Sequence, residues 1–406
     1  MVTKTRYSLL FVLAASGFVT SFGAHIVATN LPSYAESVKV GAVMIGVLIG
    51  VYDFAELFAK PIAGWIADRN GRKLTLLAGL AVFILGSMLF LIVSPSLLIV
   101  VRFVQGLGAA ALSTVSITLV AQHFSINRGR AFGIYNAIKG AGYVIAPVVG
   151  GFLAQRFGFG MIFIVSAGIG AIVLLLSLSI PADRKEGGSL EDDDDDMSLR
   201  DFFLIFRDPR LAPVYAVIVI NMFMVGILFG FLPVYLHGLG YSAVDSGLVV
   251  SVVTLSYLLV QPLAGYLADR IDVRITVLLG LALAALAISI ITFTSGIQLW
   301  AVSVLGGIGI GTVWTNSDVL VGQIADPRRL GASMGAAQSF KEFGDMVGPL
   351  LVGLLTQFYG IRSGFVTCGA VAFILLLVLA RFHSLPAPSE GQRHPDKSNH
   401  SPGTEN

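Results

Sequence analysis

Several ionisable side chains lie inside stretches of this chain that are otherwise apolar. Asp53 and Glu56 are three residues apart in one such stretch, and Arg102 stands alone in another. Lys139 occupies a third, while Lys341, Glu342 and Asp345 share a fourth, and Asp318 lies between Trp314 and a run of valine and leucine. In a helix the i, i+3 spacing of Asp53 and Glu56 and the i, i+4 spacing of Lys341 and Asp345 bring each pair onto a common face. Charged groups at such depth are costly and default to a working role. Carboxylates that lose a cationic partner in an apolar span take up a proton rather than stay charged. The chemistry on offer is therefore proton binding and release, with ion pairs as the switch. A structural pair that only fixes helix packing is the competing reading.

The elements that must position these groups are long apolar helices. The 406-residue chain is 55% hydrophobic and 12% charged, about half the charge of a soluble domain. Apolar runs of about 20 residues, enough to cross a bilayer core, recur roughly twelve times. They centre near Ala15, Asp53, Phe83, Ala109, Gly142, Ala171, Met222, Leu255, Leu283, Gly309, Gly344 and Phe373. The first run, from about Tyr7 to Ala28, follows Lys4 and Arg6 as a signal peptide would. It is too long for one and reads as an uncleaved span. The lone cysteine, Cys368, allows no intrachain disulfide.

Charge is distributed by side. Arg69, Arg72, Lys73, Arg128, Arg130, Arg270, Arg274, Arg328 and Arg329 fall in alternate loops, and the opposite loops hold only Lys39, Arg156 and Arg362. The positive-inside rule places both termini in the cytoplasm, with the chain in the cytoplasmic (inner) membrane.

The chain also repeats. Gly64-x-x-x-Asp68-Arg69 returns as Gly265-x-x-x-Asp269-Arg270, Leu31-Pro32-x-Tyr34 as Leu232-Pro233-x-Tyr235, and Gly106-x-Gly108 as Gly307-x-Gly309, each at an offset of 201. Gly142 and Pro147 return as Gly344 and Pro349 at 202. Two six-helix halves in the same orientation follow: residues 1–180 and 211–383. They are joined by a linker, 181–210, whose run from Glu191 to Asp196 is too acidic to bury. A polar tail, 384–406, is expected to be disordered.

Gly64-x-x-x-Asp68-Arg69-x-Gly71-Arg72-Lys73 resembles the signature loop of the major facilitator superfamily. Arg102-x-x-Gln105-Gly106 is similar to that family's fourth-helix motif. Gly133, Gly142, Pro147, Gly150 and Gly151 are spaced like its antiporter-type fifth-helix motif, although Ala146 stands where glycine is usual. In the second signature loop Asp272 replaces Gly71. The resemblance covers about residues 7–382. It implies an all-α membrane protein of twelve spans in two pseudo-symmetric six-helix bundles, monomeric by default, similar to the drug–proton antiporters.

Several roles follow from the resemblance. Asp68 with Arg69 and Arg72, and Asp269 with Arg270, would gate the cytoplasmic side. Helices two and eleven face each other in this fold, so Asp53 or Glu56 is expected to pair with Lys341, Asp345 lying close by. Arg102 would either hold the carboxylates electrostatically or snorkel to the interface. Helices one, four, seven and ten would line a largely apolar cavity through His25, Asn30, Gln105, Asn221, Trp314, Asn316 and Asp318. The expected function is proton-coupled export of small lipophilic or amphipathic compounds. A metabolite importer, a lipid-linked exporter and a non-transporting sensor remain open. The partners expected are a small-molecule substrate, protons and the lipid bilayer. No enzyme activity, nucleic acid, cofactor or metal is expected.

Overall fold

A computed structural model of the chain describes residues 2–37, 41–124, 128–181, 208–326 and 330–382. The expected linker and C-terminal tail fall almost wholly outside these residues. The first half is built from α1 Val2–Ser37, α2 Ala42–Asn70, α3 Arg72–Leu89, α4 Leu98–His123, α5 Arg128–Phe157 and α6 Gly160–Ser177. The second half contains α7 Ala212–Gly230, α8 Ala243–Arg270, α9 Val273–Ile290, α10 Gly296–Ile324, α11 Leu330–Tyr359 and α12 Ile361–Phe382. A short helix, Leu232–Gly238, continues α7. No strand occurs among the described residues. Helices satisfy every backbone group within the segment, as hydrocarbon demands.

Eleven of these elements are long and apolar enough to cross a membrane. The remaining long helix is α11. It matches the others in length at 30 residues, but Lys341, Glu342 and Asp345 lower its apolar character. Those charges turn inward, where a protein-lined cavity replaces lipid.

The loop between α2 and α3 is a single residue. Gly71 adopts φ 101°, a conformation that side chains with a Cβ avoid, and its N–H donates to the Ala67 carbonyl. The corresponding turn in the second half is built differently. Asp272 keeps negative φ and caps α9, its Oδ1 accepting from the Arg274 N–H at 2.9 Å. The carboxylate thus starts α9 where glycine turns the chain in the first half.

The two halves meet through α2 against α11, α5 against α8, and α1 with α7. Each of α2, α5, α8 and α11 carries one internal proline: Pro61, Pro147, Pro262 and Pro349. A proline withholds one helix hydrogen bond and permits a bend, so all four seam helices carry a kink site.

Candidate functional site: a charged cavity between the halves

The closest approaches between the halves lie at the end of the bundle remote from the signature loops. A Cβ on Gly151 would lie 2.2 Å from the Ala243 carbonyl oxygen, and one on Gly247 2.3 Å from that of Pro147. Ser251 Oγ donates to the Val144 carbonyl at 2.6 Å across the same α5–α8 seam. On the α2–α11 side, Gly46 lies against Pro349 and Gly353 against Ala42. Backbone therefore meets backbone at this end. Of the fifth-helix motif, Gly142 and Gly150 pack on α1 against Ser21 and Asn30, whereas Gly133 faces open space.

Below this closed end lies a cavity of about 140 Å³. His25 stands at its aromatic wall. The imidazole packs edge-on between Tyr143 of the first half and Phe229 of the second, both with ring centroids 4.3 Å away. Its Nδ1 bonds to the Ser21 carbonyl at 2.8 Å. A carbonyl only accepts, so Nδ1 carries the proton. Ile49, Met222 and Val225 add apolar surface.

The rest of the lining is charged: Asp53, Glu56 and Lys60 from α2, Arg102 from α4, Lys139 from α5, and Lys341, Glu342 and Asp345 from α11. The lining is therefore not the largely apolar one expected of helices one, four, seven and ten, because its charge comes mostly from helices two, five and eleven.

The ion pairs also differ from expectation. Lys341 does not pair with Asp53 or Glu56. Its Nζ donates to both Asp318 carboxylate oxygens at 2.7 Å and lies 5.0 Å from the Trp314 ring centroid, so it is neutralised within its own half. The cation that bridges the halves is Lys60, whose Nζ contacts Glu56 one turn earlier on α2 and Glu342 on α11. Lys60 is not among the residues expected from the sequence. Its i, i+4 spacing from Glu56 in an apolar run was the available signal. Asp53 makes no hydrogen bond or ion pair among the described residues, and Asp345 Oδ1 is buried without a partner.

Arg102 does not snorkel: only 2% of it is exposed. Its Nη1 donates to Gln105 Oε1 at 2.7 Å and its Nη2 to the Ala24 carbonyl at 3.4 Å. The guanidinium sits 4.2 Å from the Tyr52 ring centroid. Gln105 in turn donates to Ser87, so it supports the arginine from behind and does not line the cavity.

Other expected cavity residues are also elsewhere. Asn221 bonds to the Ile310 carbonyl and Asn316 to Thr276 inside the second bundle. Asn30 borders a separate small pocket with Thr29, His237 and Ser246. His25 and Trp314 line the cavity as expected, with Asp318 behind Lys341. Asn221, Asn316 and Gln105 satisfy groups on neighbouring helices and Asn30 the Ile26 carbonyl of its own helix, which hydropathy alone does not distinguish from facing the cavity.

The signature loops sit apart from the cavity. Asp68 pairs with Arg72 at 3.0 Å and is largely exposed. Arg69 and Arg270 lie over Trp65 and Tyr266, 5.3 and 4.8 Å from the ring centroids. Gly64 has only a Thr114 methyl near its Cβ position. The side chain of Asp269 lies outside the described residues.

Comparison with known proteins agrees with this architecture. A multidrug resistance protein, MdtG, of Klebsiella pneumoniae (strain 342) is 24% identical over 399 residues, covering 94% of each chain. The multidrug resistance protein Stp of Mycobacterium tuberculosis (strain ATCC 25618 / H37Rv) is 33% identical over 180 residues, 44% of this chain and 34% of that protein. Among solved structures, the nucleoside transporter NupG superposes with a TM-score of 0.78 at 15% identity, covering 92% of this chain and 99% of that one. A D-xylose–proton symporter superposes with 0.76 at 15%, covering 95% and 98%. These likenesses share a fold across transporters of different cargo. The sequence profile of the Major Facilitator Superfamily matches residues 13–256 and 214–405, and with both halves so matched, this multi-pass membrane chain belongs to that superfamily.

Proposed function

We propose that this transporter exports small amphipathic compounds in exchange for protons by alternating access. The observation that carries the reading is the cavity itself. It lies at the seam between the halves, with an aromatic and apolar wall on one side and the carboxylates of Asp53 and Asp345 on the other, a buried oxygen of Asp345 having no partner. The similarity over nearly the full chain to a protein named for multidrug resistance supports outward transport of drug-like compounds. A superfamily member needs no nucleotide when a proton gradient drives it.

With the signature loops on the cytoplasmic side, as the distribution of arginine and lysine directs, the closed end is extracytoplasmic. The conformation is then inward-facing, with both termini in the cytoplasm of a cell bounded by this inner membrane. The signature-loop residues Asp68, Arg69, Gly71, Arg72, Asp269 and Arg270 would form contacts between the halves only when this side closes. Lys60 is the hinge of the cycle. It holds Glu56 and Glu342 together while the extracytoplasmic end is shut. Rocking would separate Glu342 from Lys60, and a carboxylate so released in an apolar span takes up a proton. Lys341, tied to Asp318, moves with its own half.

The test is efflux of a panel of amphipathic dyes from proteoliposomes of known orientation, with and without an imposed proton gradient. Wild type is expected to move dye only with the gradient. Asp345→Asn and Asp53→Asn are expected to lose gradient-driven movement while keeping dye binding. Outward transport that ignores the gradient, or gradient-driven transport only in the inward direction, overturns the reading.

A further inference from the structure

Lys139 is the pseudo-symmetric counterpart of Lys341, at the offset of 202 that also relates Pro147 to Pro349. Lys341 is neutralised by Asp318, held at 2.7 Å through both carboxylate oxygens. The α4 position equivalent to Asp318, at the offset of 201 set by Gly106 and Gly307, is Ile117. The first half therefore keeps the lysine and lacks its carboxylate. Lys139 Nζ makes no hydrogen bond or ion pair among the described residues, although its side chain lines the cavity. The charged groups near enough to act on it are Lys60, Glu56, Glu342 and Lys341. None of the four contacts it: Lys341 is paired with Asp318, and Glu56 and Glu342 share Lys60, a set that keeps one net negative charge and acts on Lys139 only through space.

An ammonium in such a place is costly unless something neutralises it. One helical turn along the same face of α5 is Tyr143, which packs on His25, itself packed on Phe229. A cation without a partner thus adjoins a three-ring apolar wall at the closed end of the cavity.

We infer that Lys139 is the anion-recognition residue of the substrate site, and that the compounds carried are amphipathic anions. Their carboxylate, sulfonate or phosphate group pairs with Lys139, and their apolar body lies against Tyr143, His25 and Phe229. This rests on the transport reading above only for the word substrate; the site is testable by binding alone. A charge-assisted bond of this kind outweighs a neutral one about twofold in energy. It also leaves Asp53 and Asp345 free for protons.

The experiment is calorimetric titration of the full chain in lipid nanodiscs with 4-butylbenzoate, 4-butylbenzamide, 4-butylbenzyltrimethylammonium and inorganic phosphate. Wild type is expected to prefer the benzoate over the benzamide by at least roughly 10-fold, the factor of about 1.4 kcal/mol. Lys139→Gln is expected to bring benzoate affinity down to that of the benzamide, leaving the benzamide unchanged. That unchanged binding also shows that the variant is folded. Lys139→Arg is expected to keep the preference. Absence of benzoate binding, equal binding of benzoate and benzamide, tighter binding of the ammonium, or a preference that survives Lys139→Gln each overturns the inference. Phosphate competing as well as the benzoate overturns the amphipathic part. Gradient-driven efflux without benzoate preference would sink Lys139 and spare the transport reading; benzoate preference without such efflux would do the reverse.

Discussion

At the residue scale, the molecule separates charges that are satisfied from charges that are not. Lys341 with Asp318 forms a neutral pair, and Lys60 is shared by Glu56 and Glu342, which leaves that set one negative charge. Arg102 is held through its two terminal nitrogens by neutral oxygens and by an aromatic face, its Nε being buried without a partner. Asp53, Asp345 and Lys139 are left over. Leaving charge unpaired away from water is expensive, so the leftovers mark where protons and cargo are expected to act. The bridging role of Lys60 has a direct consequence. Lys60→Met leaves Glu56 and Glu342 facing each other without a cation. The expected loss of stability is on the order of 2 kcal/mol, below the roughly 3–5 of a fully dry pair, because Lys60 keeps 28% of its side chain exposed. Removing Glu342 as well, in Lys60→Met/Glu342→Gln, should cost less than the two single losses summed. A double-mutant cycle on thermal unfolding in nanodiscs reads this, and strict additivity would show that the two side chains do not interact.

At the element scale, α2, α5, α8 and α11 act as paired rods whose close contacts are backbone to backbone. The α5–α8 seam closes because Gly151 and Gly247 have no Cβ where the facing carbonyls of Ala243 and Pro147 come within 2.2 and 2.3 Å of that position. A side chain there wedges the seam open. Gly247→Leu is therefore expected to shift the population away from the conformation closed at this end. Thiol labelling of a cysteine introduced at Val148, on the facing helix, should rise several-fold in that background, and transport should fall with it. Unchanged labelling would mean the helices separate and rejoin without needing this contact.

At the scale of the whole molecule, two six-helix halves meet at a cavity that backbone contacts close at the end remote from the signature loops. Tying that end shut must then stop the cycle without removing the site. A cysteine pair at Val144 and Ser251, non-glycine positions that meet across α5 and α8, is expected to abolish transport when cross-linked and to restore it on reduction, with benzoate or dye binding retained throughout. Transport that persists through the cross-link would mean that the end remote from the signature loops need not open.

The sequence by itself determined the class of molecule. Apolar length, the alternation of basic loops and an offset of 201 to 202 residues are one-dimensional signals, and hydrocarbon permits almost no other reading of them. It also determined that Asp53, Glu56, Arg102, Lys341 and Asp345 sit in a costly place. Even the exchange of Gly71 for Asp272 was visible as a change of turn, though not that the aspartate would cap α9. Tertiary structure alone decided who pairs with whom. Lys341 turned to Asp318 in its own half, and Lys60 took the seam. It also decided that Asn221, Asn316 and Gln105 bond to neighbouring helices, leaving Lys139 as a cation without its symmetry-related acid. The physical reason is that a helix's rotation about its axis and the reach of a long side chain are set by packing against several neighbours at once. Those neighbours lie as many as 282 residues apart, as Lys60 and Glu342 do, and no spacing along the chain encodes that distance.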